Sequence, residues 1–264
     1  MKQQHPYHLV DQSPWPLLLS LGILVTALGF VMTFHRYQNA TIILTFGFLI
    51  FLYVLFLWWR DVFRESTLQY HTTKVQTGLQ LGMVRFITTE AMFFVGLLWA
   101  FIHAASQPSV YLSNMWPPEG IIPVEWHGRP LLNTALLFAS YFSANVARYA
   151  MEENNYKLAF TNLVITVALG LLFTFYQYLE YSTAAFSMSD SVFGSVFYLA
   201  TGFHGFHVIV GVLFLFVCLI RLKEFSINHS VGLKLAVLYW HFVDIVWIFL
   251  MGIIYYWGSY KKHF

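Results

Sequence analysis

Charge and cysteine are both scarce in this sequence of 264 residues. Only 10% of the residues are charged and the formal net charge is +2, whereas soluble domains carry about 25% charged residues. The single cysteine, Cys218, excludes a disulfide framework and a CxxC metal site. Without a cluster of Lys and Arg, the small positive charge gives no reason to expect a nucleic-acid partner. The sequence also lacks an HExxH motif, a glycine-rich phosphate loop and a serine nucleophile elbow.

The sequence is instead rich in long runs of hydrophobic residues. Hydrophobic residues make up 58% of the chain, aromatic residues 20%, and the mean hydropathy is +0.63. Windows of about 20 residues, long enough to cross a bilayer as a helix, fall near 15–34, 40–59, 79–105, 129–150, 156–181, 191–221 and 232–257. No span alternates polar and apolar residues as a membrane strand would. We therefore predict an all-α membrane protein, a single domain over residues 1–264 with seven transmembrane helices.

The segments that flank these spans are polar. Residues 1–14 contain two prolines and lack both the apolar core of a signal peptide and the Arg/Ser-rich pattern of a transit peptide. We therefore expect either that the protein is made in the compartment where it works or that its first helix serves as the insertion signal. We expect residues 60–78 to form a polar loop between spans two and three. The fourth span is the weakest, because four polar side chains dilute it: Asn133, Ser140, Ser143 and Asn145.

The distribution of basic residues predicts the orientation. With seven spans, nine Lys and Arg residues fall on the N-terminal side, namely Lys2, Arg60, Arg64, Lys74, Arg148, Lys157, Arg221, Lys223 and Lys234. Four fall on the other side: Arg36, Arg129, Lys261 and Lys262. Basic residues concentrate on the cytoplasm- or matrix-like side. The N-terminus is therefore expected on that side.

The stretch FITTEAMFF, residues 86–94, puts an acid inside the third span. Glu90 lies roughly 16 Å along a helix from Leu79, close to the middle of a hydrocarbon layer about 30 Å thick. A carboxylate there costs about 2.5–3.5 kcal/mol on the mildest insertion scale. A partner or a bound proton must offset that cost. Glu90 is therefore either a functional acid that relays protons, binds an ion or faces lipid, or a structural acid bonded to a neighbouring helix.

Two further spans carry histidines. In TGFHGFHVIVG, His204 and His207 are three residues apart and share one helix face. They are either ligands of a metal or haem, or packing histidines at a crowded interface. In LYWHFVDIVWIFL, His241 and Asp244 have the same spacing. This pattern fits an Asp that orients a metal-bound His, and equally a polar pair that satisfies itself within lipid.

The stretch WWRDVFREST, residues 58–67, joins aromatic side chains to charges at the end of the second span. Trp58 and Trp59 precede Arg60 and Arg64, and an Arg beside aromatic surface suits a lipid phosphate. A solvated loop start with two anchoring tryptophans explains the same residues.

Taken in order, these stretches and a few others resemble subunit III of the haem–copper cytochrome c oxidases. The residues that carry the resemblance are HPYHLVDQSPWP (5–16), WWRDVFREST (58–67), FITTEAMFF (86–94), WPPEGI (116–121), PLLNT (130–134), SDSVFGSVFYLATGFHGFHVIVG (189–211) and YWHFVDIVWIFL (239–250). They follow the family order and cover nearly the whole chain. Their succession is much more specific than any one of them.

The resemblance implies a non-catalytic subunit of a proton-pumping terminal oxidase. In the family, a cleft between helices one and two and the other five helices holds phospholipids, here expected to be cardiolipin, phosphatidylethanolamine or phosphatidylglycerol. Haem and copper belong to partner subunits. The implied partners are catalytic subunit I, subunit II and supernumerary subunits, and the implied role is to stabilise the catalytic subunit and support proton uptake. The implied location is the mitochondrial inner membrane with a matrix-side N-terminus; the alternative is a bacterial plasma membrane.

The resemblance also carries residue assignments. Glu90 matches the intramembrane acid of the family, which lies near the lipids. The expected lipid neighbours are Trp58, Trp59, His71, His207 and Arg221, together with Glu90 itself. For His241 and Asp244 we adopt the structural polar pair, and we expect neither a catalytic residue nor a metal ligand in this chain.

The chain departs from the family pattern at several positions. Arg148 and Tyr149 stand where helix four usually ends in a histidine pair, and His229 is followed by Ser230 where a second histidine is usual. Lys234 replaces an acid, Thr89 a serine and Arg85 an apolar residue.

Two other functions compete with the oxidase subunit: an independent proton transporter that uses Glu90, and a haem-binding redox enzyme that uses His204, His207 and His241.

Overall fold

The computed structural model describes residues 5–68, 70–108, 114–225, 231–260 and 262–263. This part of the chain contains seven α-helices: α1 (Trp15–Phe34), α2 (Ala40–Thr67), α3 (Thr73–Ser106), α4 (Arg129–Glu152), α5 (Tyr156–Thr183), α6 (Ser191–Ile220) and α7 (Val231–Leu250). Helix α7 continues as a π-helical turn, Met251–Tyr256, and a 3₁₀ turn, Trp257–Ser259. Another 3₁₀ turn, Leu222–Glu224, follows α6. Two short strands, β1 (Met115–Trp116) and β2 (Lys262–His263), pair antiparallel.

A helix lies over each of the seven predicted ranges, so the chain is helical as predicted. Six of these helices are long and apolar enough to cross a membrane: α1, α2, α3, α5, α6 and α7 with its continuation to Ser259. Helix α4 is not one of the six, although all of its residues are described. A seventh span therefore stays a prediction.

The predicted polar loop over residues 60–78 is wrong in most of its length. Helix α2 continues to Thr67 and α3 begins at Thr73, so only a short connection separates them. Charges do not end a helix that has left the apolar layer, because they can pair along its surface. Asp61 and Arg64 do so, with 3.7 Å between the carboxylate and the guanidinium.

The polar residues of α4 are used inside the protein. Ser140 Oγ accepts a hydrogen bond from Trp240 Nε1 on α7 at 3.0 Å. Ser143 Oγ and Thr166 Oγ1 on α5 are hydrogen-bonded at 2.7 Å. Both serines are buried. The low hydropathy of α4 therefore reflects buried polar contacts with α5 and α7, which a hydropathy window does not distinguish from exposure to water.

The chain divides into two compact units, Met1–Leu79 and Gln80–Phe264. In the first, α1 and α2 pack backbone to backbone at two glycines. A Cβ added to Gly29 would lie 2.5 Å from Leu44 Cα, and one added to Gly47 would lie 2.6 Å from Thr26 N. No real side chain tolerates such distances, so glycine is required at both places for this close contact.

The second unit is built around buried aromatic rings. Trp240 on α7 is fully buried, and Gly170 and Gly211 leave room for its indole, because a Cβ at either would lie 2.8 Å from the ring. Trp116 donates its Nε1–H to the Gly258 carbonyl at 3.1 Å and packs edge-on against Phe101. This packing holds α5, α6 and α7 in fixed positions around the polar side chains of the unit.

Candidate functional site

Glu90 has a partner on another helix. Its Oε2 lies 3.1 Å from His207 Nε2, which joins α3 to α6. About a quarter of the Glu90 side chain is exposed, whereas the His207 side chain is 8% exposed. Sequence analysis assigned both residues to the lipid neighbourhood without pairing them with each other. The residue spacing within one helix shows which of its side chains share a face, but it does not show which residues of another helix lie opposite that face.

The second nitrogen of His207 limits how the pair is protonated. His207 Nδ1 lies 2.8 Å from the Phe203 carbonyl oxygen, which can only accept, so Nδ1 carries a proton. The contact between Nε2 and Oε2 then needs one further proton, either on Glu90 or on His207. The pair is a neutral acid with a neutral imidazole, or a carboxylate with an imidazolium. Both forms hold the same protons and have no net charge, which offsets much of the cost of an acid at this depth.

Aromatic rings surround the imidazole of His207. Phe94 meets it edge-on with ring centroids 5.3 Å apart, and Tyr239 stacks at 6.3 Å. Phe242 packs against it from α7 at 6.2 Å. A hydrogen bond in such apolar surroundings is stronger than one in water. The site is therefore suited to holding a proton between two side chains at an apolar surface.

His204 and His207 do not act together, although they share a helix face. The ring of His204 is buried, and its Nε2 donates to the Val243 carbonyl oxygen on α7 at 3.2 Å, while His207 contacts Glu90 on α3. Phe173 and Trp247 pack on the His204 ring. Of the two interpretations for this motif, this geometry favours packing histidines.

His241 and Asp244 lie within ion-pair range, with 3.7 Å between Nδ1 and Oδ2. The shorter contact of His241 is to α4, where its Nε2 lies 3.1 Å from Asn145 Oδ1. The ring of Tyr141 also packs on it, with centroids 4.2 Å apart. His241 therefore has a hydrogen-bonding partner on α4, Asn145, which the spacing within α7 does not reveal, whereas its Nδ1 and the Asp244 carboxylate form no hydrogen bond.

Another acid, Glu180 on α5, did not stand out in the sequence because it lies near the end of its predicted span. Only 2% of it is exposed. Its Oε1 accepts a hydrogen bond from Tyr255 at 2.6 Å and another from Gln177 at 3.1 Å. Asn133 on α4 extends the network by donating to Gln177 Oε1 at 3.3 Å. The sequence signal for this cluster was the spacing of Gln177 and Glu180, three residues apart on one helix face.

The predicted headgroup region near the end of α2 contains a cavity of about 480 Å³. Trp58, Arg64 and Glu65 are among its lining residues. Asp61, also at the wall, accepts from Trp15 Nε1 at 2.7 Å and pairs with Arg60 at 2.9 Å. Its charge is therefore already compensated.

The remaining predicted lipid neighbours lie at the ends of helices. Trp59 is 43% exposed, and His71 lies in the connection between α2 and α3, with its ring edge-on to that of His8. Arg221 follows α6 directly, and its guanidinium lies 5.6 Å above the Phe225 ring. These positions are compatible with contact to lipid headgroups.

Two of the departures from the family pattern have visible partners. Lys234 Nζ lies 3.5 Å from Glu152 Oε1, so the lysine that replaces an acid forms an ion pair with Glu152. The guanidinium of Arg148 lies 4.5 Å above the ring of Tyr149. His229 and Ser230 lie outside the described residues.

The fold and the paired acid together define a helical membrane protein with an acid–histidine pair between two of its helices. A family model described as cytochrome c oxidase subunit III matches residues 5–259. The cytochrome c oxidase subunit 3 of Triticum aestivum is 50% identical over 260 residues, which cover 97% of this chain and 98% of the relative. The proteins of the same name from Coturnix japonica and Arabidopsis thaliana are each 49% identical over 260 residues, 97% of this chain and 99% and 98% of theirs.

The chain belongs to the cytochrome c oxidase subunit III family. The resemblance noted in the sequence is thereby confirmed over nearly the full chain. The prediction that the chain is a subunit of a terminal oxidase, complex IV of the respiratory chain, is confirmed with it.

Proposed function

We propose that this chain is a non-catalytic core subunit of proton-pumping cytochrome c oxidase. It packs against catalytic subunit I, together with subunit II and supernumerary subunits, and haem and copper are held by those partners. It stabilises the catalytic subunit, holds phospholipids in a cleft between helices one and two and the other five of seven transmembrane helices, and supports proton uptake. It lies in the mitochondrial inner membrane with its N-terminus on the matrix side. Family membership and the bias of basic residues support this proposal.

The observation that carries the proposal is the contact between Glu90 and His207. Both residues were assigned to the lipid neighbourhood residue by residue, and their side chains meet at 3.1 Å from helices that are far apart in sequence. The pair is hydrogen-bonded and partly exposed beside an aromatic surface. Such a site can border a lipid chain without the cost of an isolated charge.

Basic residues near apolar grooves support phospholipid binding at the helix ends. Beside Arg221, a cavity of about 580 Å³ is lined by Lys157, Lys223 and apolar side chains of α5 and α6. Basic side chains at the edge of an apolar surface attract anionic headgroups. At the end of α2, Trp58 and Arg64 combine an aromatic wall with a guanidinium in the same way.

The test is the phospholipid content of the purified oxidase complex, measured by mass spectrometry. Complexes with Arg221→Ala or His207→Leu should retain less phospholipid per complex than the parent. Arg36→Gln, which removes an exposed basic residue from the opposite predicted side, is the matched control and should retain the parental amount. Equal phospholipid in the parent and both variants would contradict the proposed lipid role.

A transporter that works alone is the second candidate, favoured only by the proton on the Glu90–His207 pair. From His207 the described hydrogen bonds lead to the Phe203 carbonyl, which accepts a hydrogen bond but cannot pass a proton on. The chain alone, reconstituted in vesicles, should therefore show no proton flux, with or without Glu90→Gln. Flux that disappears in Glu90→Gln would favour the transporter. Haem absorption from the isolated chain would favour the redox enzyme.

A further inference from the structure

Two histidines and a carboxylate meet at one point in the unit Met1–Leu79. They are His8 in the N-terminal segment, Glu65 near the end of α2, and His71 in the connection to α3. One ligand atom from each of the three lies within 4.8 Å of the other two. His8 Nε2 and Glu65 Oε2 are 3.2 Å apart, and the two imidazole rings meet edge-on at 5.4 Å. Among the described residues, no other group of three His, Cys, Asp or Glu side chains brings its potential ligand atoms this close together.

We propose that His8, Glu65 and His71 form a binding site for a divalent transition-metal ion, with zinc as the fitting ion. Two imidazole nitrogens and one carboxylate oxygen are a common zinc ligand set. In a tetrahedral site with bonds of about 2.0–2.1 Å, neighbouring ligand atoms lie about 3.3 Å apart. The contact between His8 and Glu65 already has this separation. Calcium and magnesium do not fit, because they prefer oxygen ligands.

The protein brings the three ligands together by contacts that do not involve a metal. Thr72 Oγ1, next to His71, donates to the Pro6 carbonyl at 2.7 Å. Lys74 Nζ lies 4.6 Å above the Tyr7 ring, next to His8. These contacts hold the N-terminal segment against the start of α3 on both sides of the ligand residues. A zinc ion would therefore find its ligands largely in position, which favours binding.

Bound zinc would fasten the N-terminal segment to the end of α2. Three protein ligands leave a fourth position for water or another oxygen ligand. His8 and Glu65 also line the cavity of about 480 Å³, which provides room for that ligand. The zinc proposal is independent of the proposed lipid role, because it is argued only from contacts among residues 5–74.

The experiment uses the complete oxidase complex that contains this chain, washed with a chelator to remove loosely held zinc. Zinc binding to each variant complex is then measured by equilibrium dialysis and compared with zinc binding to the parent complex. Zinc bound by other subunits is the same in both and drops out of the difference. His8→Ala and His71→Ala should each weaken binding to one site by about 10–100-fold or more, since even losing a group that only orients a zinc ligand costs that much. His5→Ala, an imidazole in the same segment outside the cluster, is the matched control and should bind as the parent does.

A rescue variant separates ligation from hydrogen bonding. His8→Cys should restore zinc binding, because a thiolate is a good zinc ligand but a poor substitute in a hydrogen bond to Glu65. Anomalous scattering at the zinc edge should locate the ion between residues 8, 65 and 71. Zinc binding that is equal in the parent and His8→Ala, or absent from the parent at micromolar zinc, would overturn the proposal. Because His8 lies outside the helices, its variants decide the matter even where His71→Ala fails to assemble. Phospholipid content is measured on the His8→Ala complex, because His71 is itself a predicted lipid neighbour. Parental phospholipid in that complex would separate a loss of zinc binding from the lipid role.

Discussion

Glu90 and Glu180 are two acids within apolar helices, and the protein handles them in opposite ways. Glu90 was conspicuous in the sequence, yet its side chain keeps about a quarter of its surface exposed and contacts one histidine. Glu180 was inconspicuous, yet it is almost completely buried and accepts hydrogen bonds from Tyr255 and Gln177. Position along a hydrophobic run indicates depth in a bilayer. It does not indicate burial inside the protein.

The difference has a physical meaning for function. A buried acid with neutral donors on two sides stabilises the contact between α5 and the end of α7, and its replacement leaves those donors unpaired. A partly exposed acid with a single titratable partner can be reached from the apolar surface. On these grounds we propose that Glu180 is a structural acid and that Glu90 is the functional one.

The largest expected effect is the difference in chemical access between the two acids. A lipid-soluble carbodiimide applied to the oxidase complex should modify Glu90 and leave Glu180 unmodified, because the Glu90 side chain is about a quarter exposed and Glu180 is almost completely buried. Peptide mass spectrometry measures the modification at each site. Glu152 is a control for water-exposed acids and should react little with this reagent. Equal labelling of Glu90 and Glu180 would remove the distinction drawn above.

A smaller effect is expected on stability. Glu180→Leu leaves the Tyr255 hydroxyl and the Gln177 amide without their acceptor, each at a cost of about 1–3 kcal/mol. The midpoint of heat-induced dissociation of this subunit from the complex should therefore fall. Glu180→Gln keeps an oxygen acceptor and should lower the midpoint less, while Glu90→Leu removes a single contact at a partly exposed site. If Glu90→Leu destabilises the subunit more than Glu180→Leu does, the structural assignment of Glu180 is wrong.

The smallest effect extends the comparison to an exposed acid. Glu152 pairs with Lys234 at 3.5 Å, with both side chains more than a third exposed. Exposed ion pairs contribute about 0–1 kcal/mol, so Lys234→Ala should change the same dissociation midpoint very little. A large loss of stability would mean that Lys234, one of the departures from the family pattern, has a role beyond this pair.

Much of the fold was predictable because apolar length is a local property. The ranges predicted for α1 and α4–α6, and for α7 with its continuation to Ser259, agree with the helices to within a few residues. The ends of α2 and α3 were not predictable by the same means. There α2 continues beyond its predicted range, where Asp61 and Arg64 pair on its surface, and α3 begins before its predicted range, at Thr73.

The candidate site was only half predictable. Glu90 was identified because an acid in an apolar run is costly wherever it lies. His207 was identified by its spacing from His204 and by the family resemblance. Their pairing, the contact of His241 with Asn145 and the cluster around Glu180 were missed. Each of these joins residues on different helices, and the sequence of one helix contains no information on the rotation of its neighbour.

Composition, apolar length and the order of the motifs can be read along one chain, and they were enough to identify a membrane-embedded helical protein of the oxidase subunit III family. The folded structure was needed to show which polar groups meet, including the Glu90–His207 pair and the His8–Glu65–His71 cluster. The physical reason is that helix formation satisfies each backbone locally, whereas the partner of a polar side chain depends on how separate segments pack.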